Sequence, residues 1–200
     1  MTTFKGPNPK SKSAARMLSA FELLRSAFMY IVVPVWLIAG LSDYFCHRAS
    51  HIELTSGPKE SLLHVAQLTE VGVPLLAVLF LEVNAAVILL LIAGVALHQV
   101  TAILDVRYAN ATRVVSPAEQ HFHSVLEMVP FFVILIVTVM HWPAVLSLFG
   151  EQPATFAPVL KQPPLPGWYL TSVLVAVVLF AIVPYGEELI RTLRQHQSAH

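Results

Sequence analysis

The 200-residue chain has a single cysteine, Cys46, which excludes an internal disulfide, a CxxC redox pair and an iron–sulfur cluster held by several of its own thiolates. Charge is scarce as well. Only 12% of the residues are Asp, Glu, Lys or Arg, and twelve bases cancel twelve acids, so no basic surface exists to attract nucleic acid. Apolar residues fill the space: they make up 56% of the chain, and the mean hydropathy of +0.69 excludes an ordinary soluble domain. The composition is that of an integral, multi-pass membrane protein whose first partner is the lipid bilayer.

A spanning helix needs about 20 predominantly apolar residues. Stretches free of Asp, Glu, Lys and Arg run from Ser26 to Ser42, Val83 to Leu104, Met128 to Gly150 and Gln162 to Gly186. A further apolar stretch, Ser61 to Leu81, is interrupted by Glu70 alone. The pattern predicts an all-α bundle of five transmembrane helices, about 26–48, 60–82, 85–106, 118–142 and 167–186. The expected organisation is an N-terminal tail and interfacial helix over 1–25, a bundle over 26–190 and a mobile tail over 191–200. Trp142 and Trp168 fall at neighbouring helix ends, as interfacial aromatics do. The fifth helix, apolar up to Pro184, is expected to serve packing or oligomerisation. Basic residues divide equally between the two faces, so the positive-inside rule does not orient the chain.

Acids and histidines are distributed unevenly. Of nine histidines only His141 belongs to the N-terminal side; the others gather at the turns 47–60 and 105–119, along the helix ends beside them and in the C-terminal tail. Both turns carry the same motif, P-x-E-x-x-x-H, as Pro58-Lys-Glu60-Ser-Leu-Leu-His64 and Pro117-Ala-Glu119-Gln-His-Phe-His123. Pro at the first helical position and Glu at the third are ordinary helix-start preferences, and Ser116 with Glu119 has the spacing of a capping box. The histidine is not explained that way. Four residues after the glutamate it shares the same helical face one turn deeper in the membrane, where a polar side chain needs a partner.

The outgoing helices complete the repeat. Asp43, His47 and His51 recur at i, i+4 and i+8, while His98 and Asp105 share a face seven residues apart. Two related hairpins thus supply Asp and His from one helix and Glu and His from the next, with Glu127 one turn below His123. Inward carboxylates and histidines on four helices are how bundles hold two metal ions. The expected half-sites are His47, Glu60 and His64, and His98, Glu119 and His123, with Asp43, His51, Asp105 and Glu127 bridging or supporting. Mixed carboxylate and imidazole donors suit iron first, then zinc or manganese. Haem, an ion pathway and a purely structural cluster are the competing readings. Glu70, about 15 Å into its helix, is placed as a catalytic proton relay or support for the ligands. His121 and His141 point elsewhere, and Arg107 and Arg113 are expected to pair with neighbouring carboxylates.

In architecture and ligand chemistry these four helices resemble the membrane-integral di-metal oxygenases and desaturases, whose histidine-rich sites lie at one end of a transmembrane bundle. Those families carry HxxHH boxes, whereas this chain has HxxxH at His47 to His51 and carboxylates in place of many histidines. The resemblance implies an oxidoreductase that oxidises an apolar or lipid-like substrate with O2, drawing on an electron-donor protein. Zinc-dependent lipid hydrolysis and proton-coupled ion transport are the alternatives.

Overall fold

The structure, a computed structural model, describes residues 20–198, so most of the expected N-terminal tail and interfacial helix lies outside the described residues. Five helices are long and apolar enough to cross a membrane: α1 (Ala20–Ala49), α2 (Pro58–Phe80), α3 (Ala85–Thr112), α4 (Pro117–Met140) and α6 (Gly167–Ser198). A short α5 (Trp142–Ser147) and an irregular segment over 148–166 join α4 to α6. That segment closes the face opposite the polar turns, where Glu82 N–H donates to the Val159 carbonyl at 2.8 Å and Lys161 N–H to that of Phe80 at 2.9 Å.

Local chemistry sets the helix boundaries. Gly57, at φ +67°, makes a turn that a side chain would strain, and Pro58 follows at the first helical position. Asn84 caps α3 by accepting from Val87 N–H at 3.2 Å, and Ser116 with Glu119 forms the expected capping box on α4. Two π-turns, Phe28–Val32 in α1 and Val178–Ile182 in α6, each lie just before a proline, Pro34 and Pro184. A proline inside a helix clashes with the carbonyl four residues back and leaves it unbonded, and the wider turn absorbs that defect.

Pro74 does the same to the Glu70 carbonyl, and here the neighbouring helix responds. A Cβ placed on Gly94 of α3 would lie 2.5 Å from that carbonyl oxygen and 2.6 Å from Pro74 Cγ. Gly94 thus lets α3 press directly onto α2. Apolar packing surrounds this contact on two sides: Phe28, Val33, Leu37, Leu79 and Tyr169 form one cluster, and Val83, Val87, Ile88, Leu91 and Val137 the other. Outward faces remain apolar and exposed, as at Phe131, Phe132, Leu135 and Val139 of α4, which suits contact with acyl chains.

Two boundaries differ from expectation with consequences. Helix α3 runs on to Thr112, carrying Asp105 and Tyr108 on a continuous helical face. Helix α6 continues to Ser198 across the segment read as a tail, because Tyr185, Glu188 and Thr192, at i, i+3 and i+7, form a buried stripe. Its C-terminal part packs on α2, where Thr192 Oγ1 lies 3.3 Å from Ser61 Oγ, and its π-turn leans on α1.

Candidate metal centre

At the polar end of the bundle, Asp43 and His47 from α1, Glu60 and His64 from α2, Asp105 from α3 and Glu119 and His123 from α4 converge. Six of the seven side chains are buried, and only His123 is partly open. Ligand atoms of Asp43, His47, Glu119 and His123 come within 4.8 Å of one another, as do those of His47, Glu60 and His64. This buried cluster could hold a metal ion.

The repeat is crossed in space. Asp43 of the first hairpin lies 3.0 Å from His123 Nε2 of the second, and Asp105 of the second lies 3.3 Å from His64 Nε2 of the first. Glu60 and Glu119, the paired motif glutamates, meet on Arg113, which bonds both. The group of His47, Glu60 and His64 is thus the half-site expected of the first hairpin, whereas the other joins Asp43 and His47 of the first hairpin to Glu119 and His123 of the second, without the expected His98. Sequence spacing specifies which residues share a helical face but not which helix that face meets.

Glu188 of α6 completes the arrangement. Its carboxylate accepts from His47 Nδ1 at 3.0 Å and from His64 Nδ1 at 2.7 Å, and the two rings stack with centroids 4.3 Å apart. An Nδ1–H given to a carboxylate leaves the Nε2 lone pair available. His47 Nε2 then faces Asp43 and Glu119 at 3.4 and 3.5 Å, and His64 Nε2 faces Asp105. Four buried atoms at this spot, Asp43 Oδ1, His47 Nε2, His64 Nε2 and Asp105 Oδ1, form no hydrogen bond. Buried polar atoms are otherwise almost always paired, and separations of 3.0 to 3.5 Å between donors match the edges around an ion bound at about 2.1 Å.

Charged residues close the centre toward the membrane surface. Burial works against the charge of Arg113, but its hydrogen bonds with Glu60 and Glu119 outweigh that and raise its pKa, so the guanidinium stays charged. Farther out, Glu187 accepts from Arg48 at 3.0 Å and from Arg191 at 3.2 Å, and Arg191 also reaches Glu53.

The remaining candidates lie elsewhere. His51 is not on the face shared by Asp43 and His47, because α1 ends at Ala49 and His51 adopts φ +50°; its exposed ring meets Glu53 at 3.2 Å. His98 and Glu127 line a cavity of about 390 Å³ beneath the cluster, together with Asp43, His64, Asp105 and His123. Glu70 accepts from Thr101 Oγ1 at 2.7 Å, deeper in the bundle, and has no direct contact with the cluster. His121 is exposed, as expected. Tyr185, whose hydroxyl donates to the Gly40 carbonyl at 3.1 Å and lies 3.4 Å from Asp43, escaped the sequence reading, as did Glu188. Comparison with known protein families, characterised proteins and solved structures finds no match.

Proposed function

We propose that the cluster holds two divalent ions, with iron favoured, and that the protein is a membrane-embedded oxidoreductase acting with O2 on an apolar or lipid-like substrate. The observation that carries this reading is the set of unpartnered, converging ligand atoms directly above an apolar cavity. Charge supports the number two. Asp43, Glu60, Asp105, Glu119 and Glu188 carry five negative charges, Arg113 offsets one, and two divalent ions balance the remaining four. Buried charge of that size needs compensation, since each uncompensated ion costs several kcal/mol.

Bound iron would supply O2 binding and reduction. The protein's own part is to hold the imidazoles in one tautomer through Glu188, to fix Glu60 and Glu119 through Arg113, and to keep water out with the apolar walls below. Reducing O2 to two waters takes four electrons, of which substrate oxidation provides two; an electron-donor protein provides the others.

Metal analysis of the purified chain tests the proposal. About two irons per chain are expected. His64→Ala and His123→Ala should each lose most of the metal, while His121→Ala and His141→Ala keep it. Zinc in place of iron would favour hydrolysis by metal-bound hydroxide, and a chain that retains no metal after loading would sink the metal reading in favour of ion transport.

A further inference from the structure

The cavity of about 390 Å³ has a size typical of a small-molecule site, and its polarity is divided along its length. All of its ionisable lining is near the cluster or just below it, at His98 and Glu127. From Gly72 onward along α2 the lining is apolar: Val73, Leu75, Leu76 and Leu79 face Val173, Leu174 and Val177 of α6. From Gln67, whose carbonyl lies beside His98, to Leu79 is twelve residues of helix, about 18 Å, which exceeds the roughly 15 Å depth of one leaflet's hydrocarbon. An extended acyl chain fits that length.

The cavity also opens sideways. Both α2 and α6 line it, and on that lining Val73 and Leu76 of α2 and Leu174, Val178 and Phe180 of α6 are exposed. These side chains would face lipid. A chain lying in the bilayer could enter between them without crossing water.

His98 indicates what the upper end binds. It is 3% exposed, lines the cavity, and neither ring nitrogen forms a hydrogen bond of acceptable geometry, although the Gln67 and Leu126 carbonyls lie close by. Lower on the lining, among Leu75, Leu79 and Val173, the Trp36 indole N–H is also unpaired. A buried imidazole left in that state loses the free energy of its missing partners, so a ligand group that supplies them is favoured. One neutral ring offers one donor and one acceptor, the complement of a hydroxyl; a carboxylate would instead lie beside Glu127 and Asp105.

We infer that the cavity binds a single-chain lipid with a neutral hydroxyl or carbonyl head, taken sideways from the bilayer between α2 and α6, its head at His98 beneath the cluster and its tail along Gly72 to Leu79. The inference rests on the metal-centre reading for what happens to the head, but not for binding. Tail-up binding is disfavoured because the lower cavity offers a head only the single donor of Trp36, whereas His98 offers both a donor and an acceptor.

Photo-crosslinking tests it on the full chain in lipid nanodiscs, stripped of metal by chelation. The probe is hexadecanol carrying a diazirine at mid-chain. Labelling is expected on α2 between 73 and 79 and on α6 between 173 and 180, and excess hexadecanol should compete it away. Gly72→Leu and Gly72→Phe should reduce it progressively, by about tenfold for Phe, since a side chain at this position meets nothing within 4 Å and would fill the cavity instead. Metal content should stay at the wild-type level in both variants. His98→Phe should weaken capture of the alcohol probe but not of an alkane bearing the same diazirine. Labelling spread over α4 and insensitive to Gly72→Phe, or equal loss of both probes in His98→Phe, would overturn the inference. Because the readout needs no metal, a failed metal analysis and a failed binding experiment remain separate results.

Discussion

One carboxylate holding two imidazoles is the smallest unit on which the centre depends. Glu188 receives an Nδ1–H from each stacked ring, so the direction of both Nε2 atoms is decided by a residue that need not touch a metal. Supporting groups of this kind typically change metal affinity by 10- to 100-fold. Glu188→Gln retains the size and one accepting oxygen but offers an amide where the second ring needs an acceptor. We expect its metal affinity to fall by about 10- to 100-fold, as measured by competition with a chelator, with helix content unchanged by circular dichroism. Unchanged affinity would mean that the imidazoles are oriented by packing alone. The residue was legible only in part. Tyr185, Glu188 and Thr192 keep a helical period of polar side chains, but Glu187 beside Glu188 and Arg191 after it make the segment look like a solvated exit from the membrane.

At the scale of the elements, the sequence conveys the helices and their repeat better than their partners. The P-x-E-x-x-x-H motif placed Glu60 with His64 and Glu119 with His123 on inward faces, and the structure buries both glutamates and His64. What the motif cannot carry is the crossing, since an i, i+4 spacing describes one helix, whereas Asp43 to His123 and Asp105 to His64 depend on how two hairpins dock. His51 shows the opposite problem: extrapolating the helical period past Ala49 ignores that the chain has already turned. Docking itself is set at the α2 and α3 contact, where Gly94 meets the Glu70 carbonyl and Pro74. Gly94→Ala should cost about 1–3 kcal/mol through overpacking, despite the better helix propensity of alanine. Thermal unfolding in detergent measures this. A Tm at or above that of the unmodified protein would show that the helices can separate here without loss.

Across the whole molecule, the polar turns, the C-terminal end of α6 and the cluster share one face, and the segment over 148–166 covers the other. This arrangement predicts side-specific labelling. In a Cys46→Ala background, single cysteines at the exposed positions Thr55, Ser116 and Ser198 should react with an impermeant maleimide from the same side of sealed vesicles, and Ala154→Cys from the opposite side. Reaction of Thr55→Cys and Ser116→Cys from different sides would break the two-hairpin bundle.

The crossed pairing also bears on how the protein is made. A ribosome that has released the first hairpin into the membrane has produced Asp43 without His123 and His64 without Asp105. The second hairpin brings the missing members, and the carboxylate that aims His47 and His64 arrives only with α6, after the other four spans. The first hairpin alone already carries His47, Glu60 and His64, but without Glu188 to aim the two rings and without the carboxylates of α3 and α4 that complete the cluster. The complete cluster therefore exists only once the last helix is in the membrane.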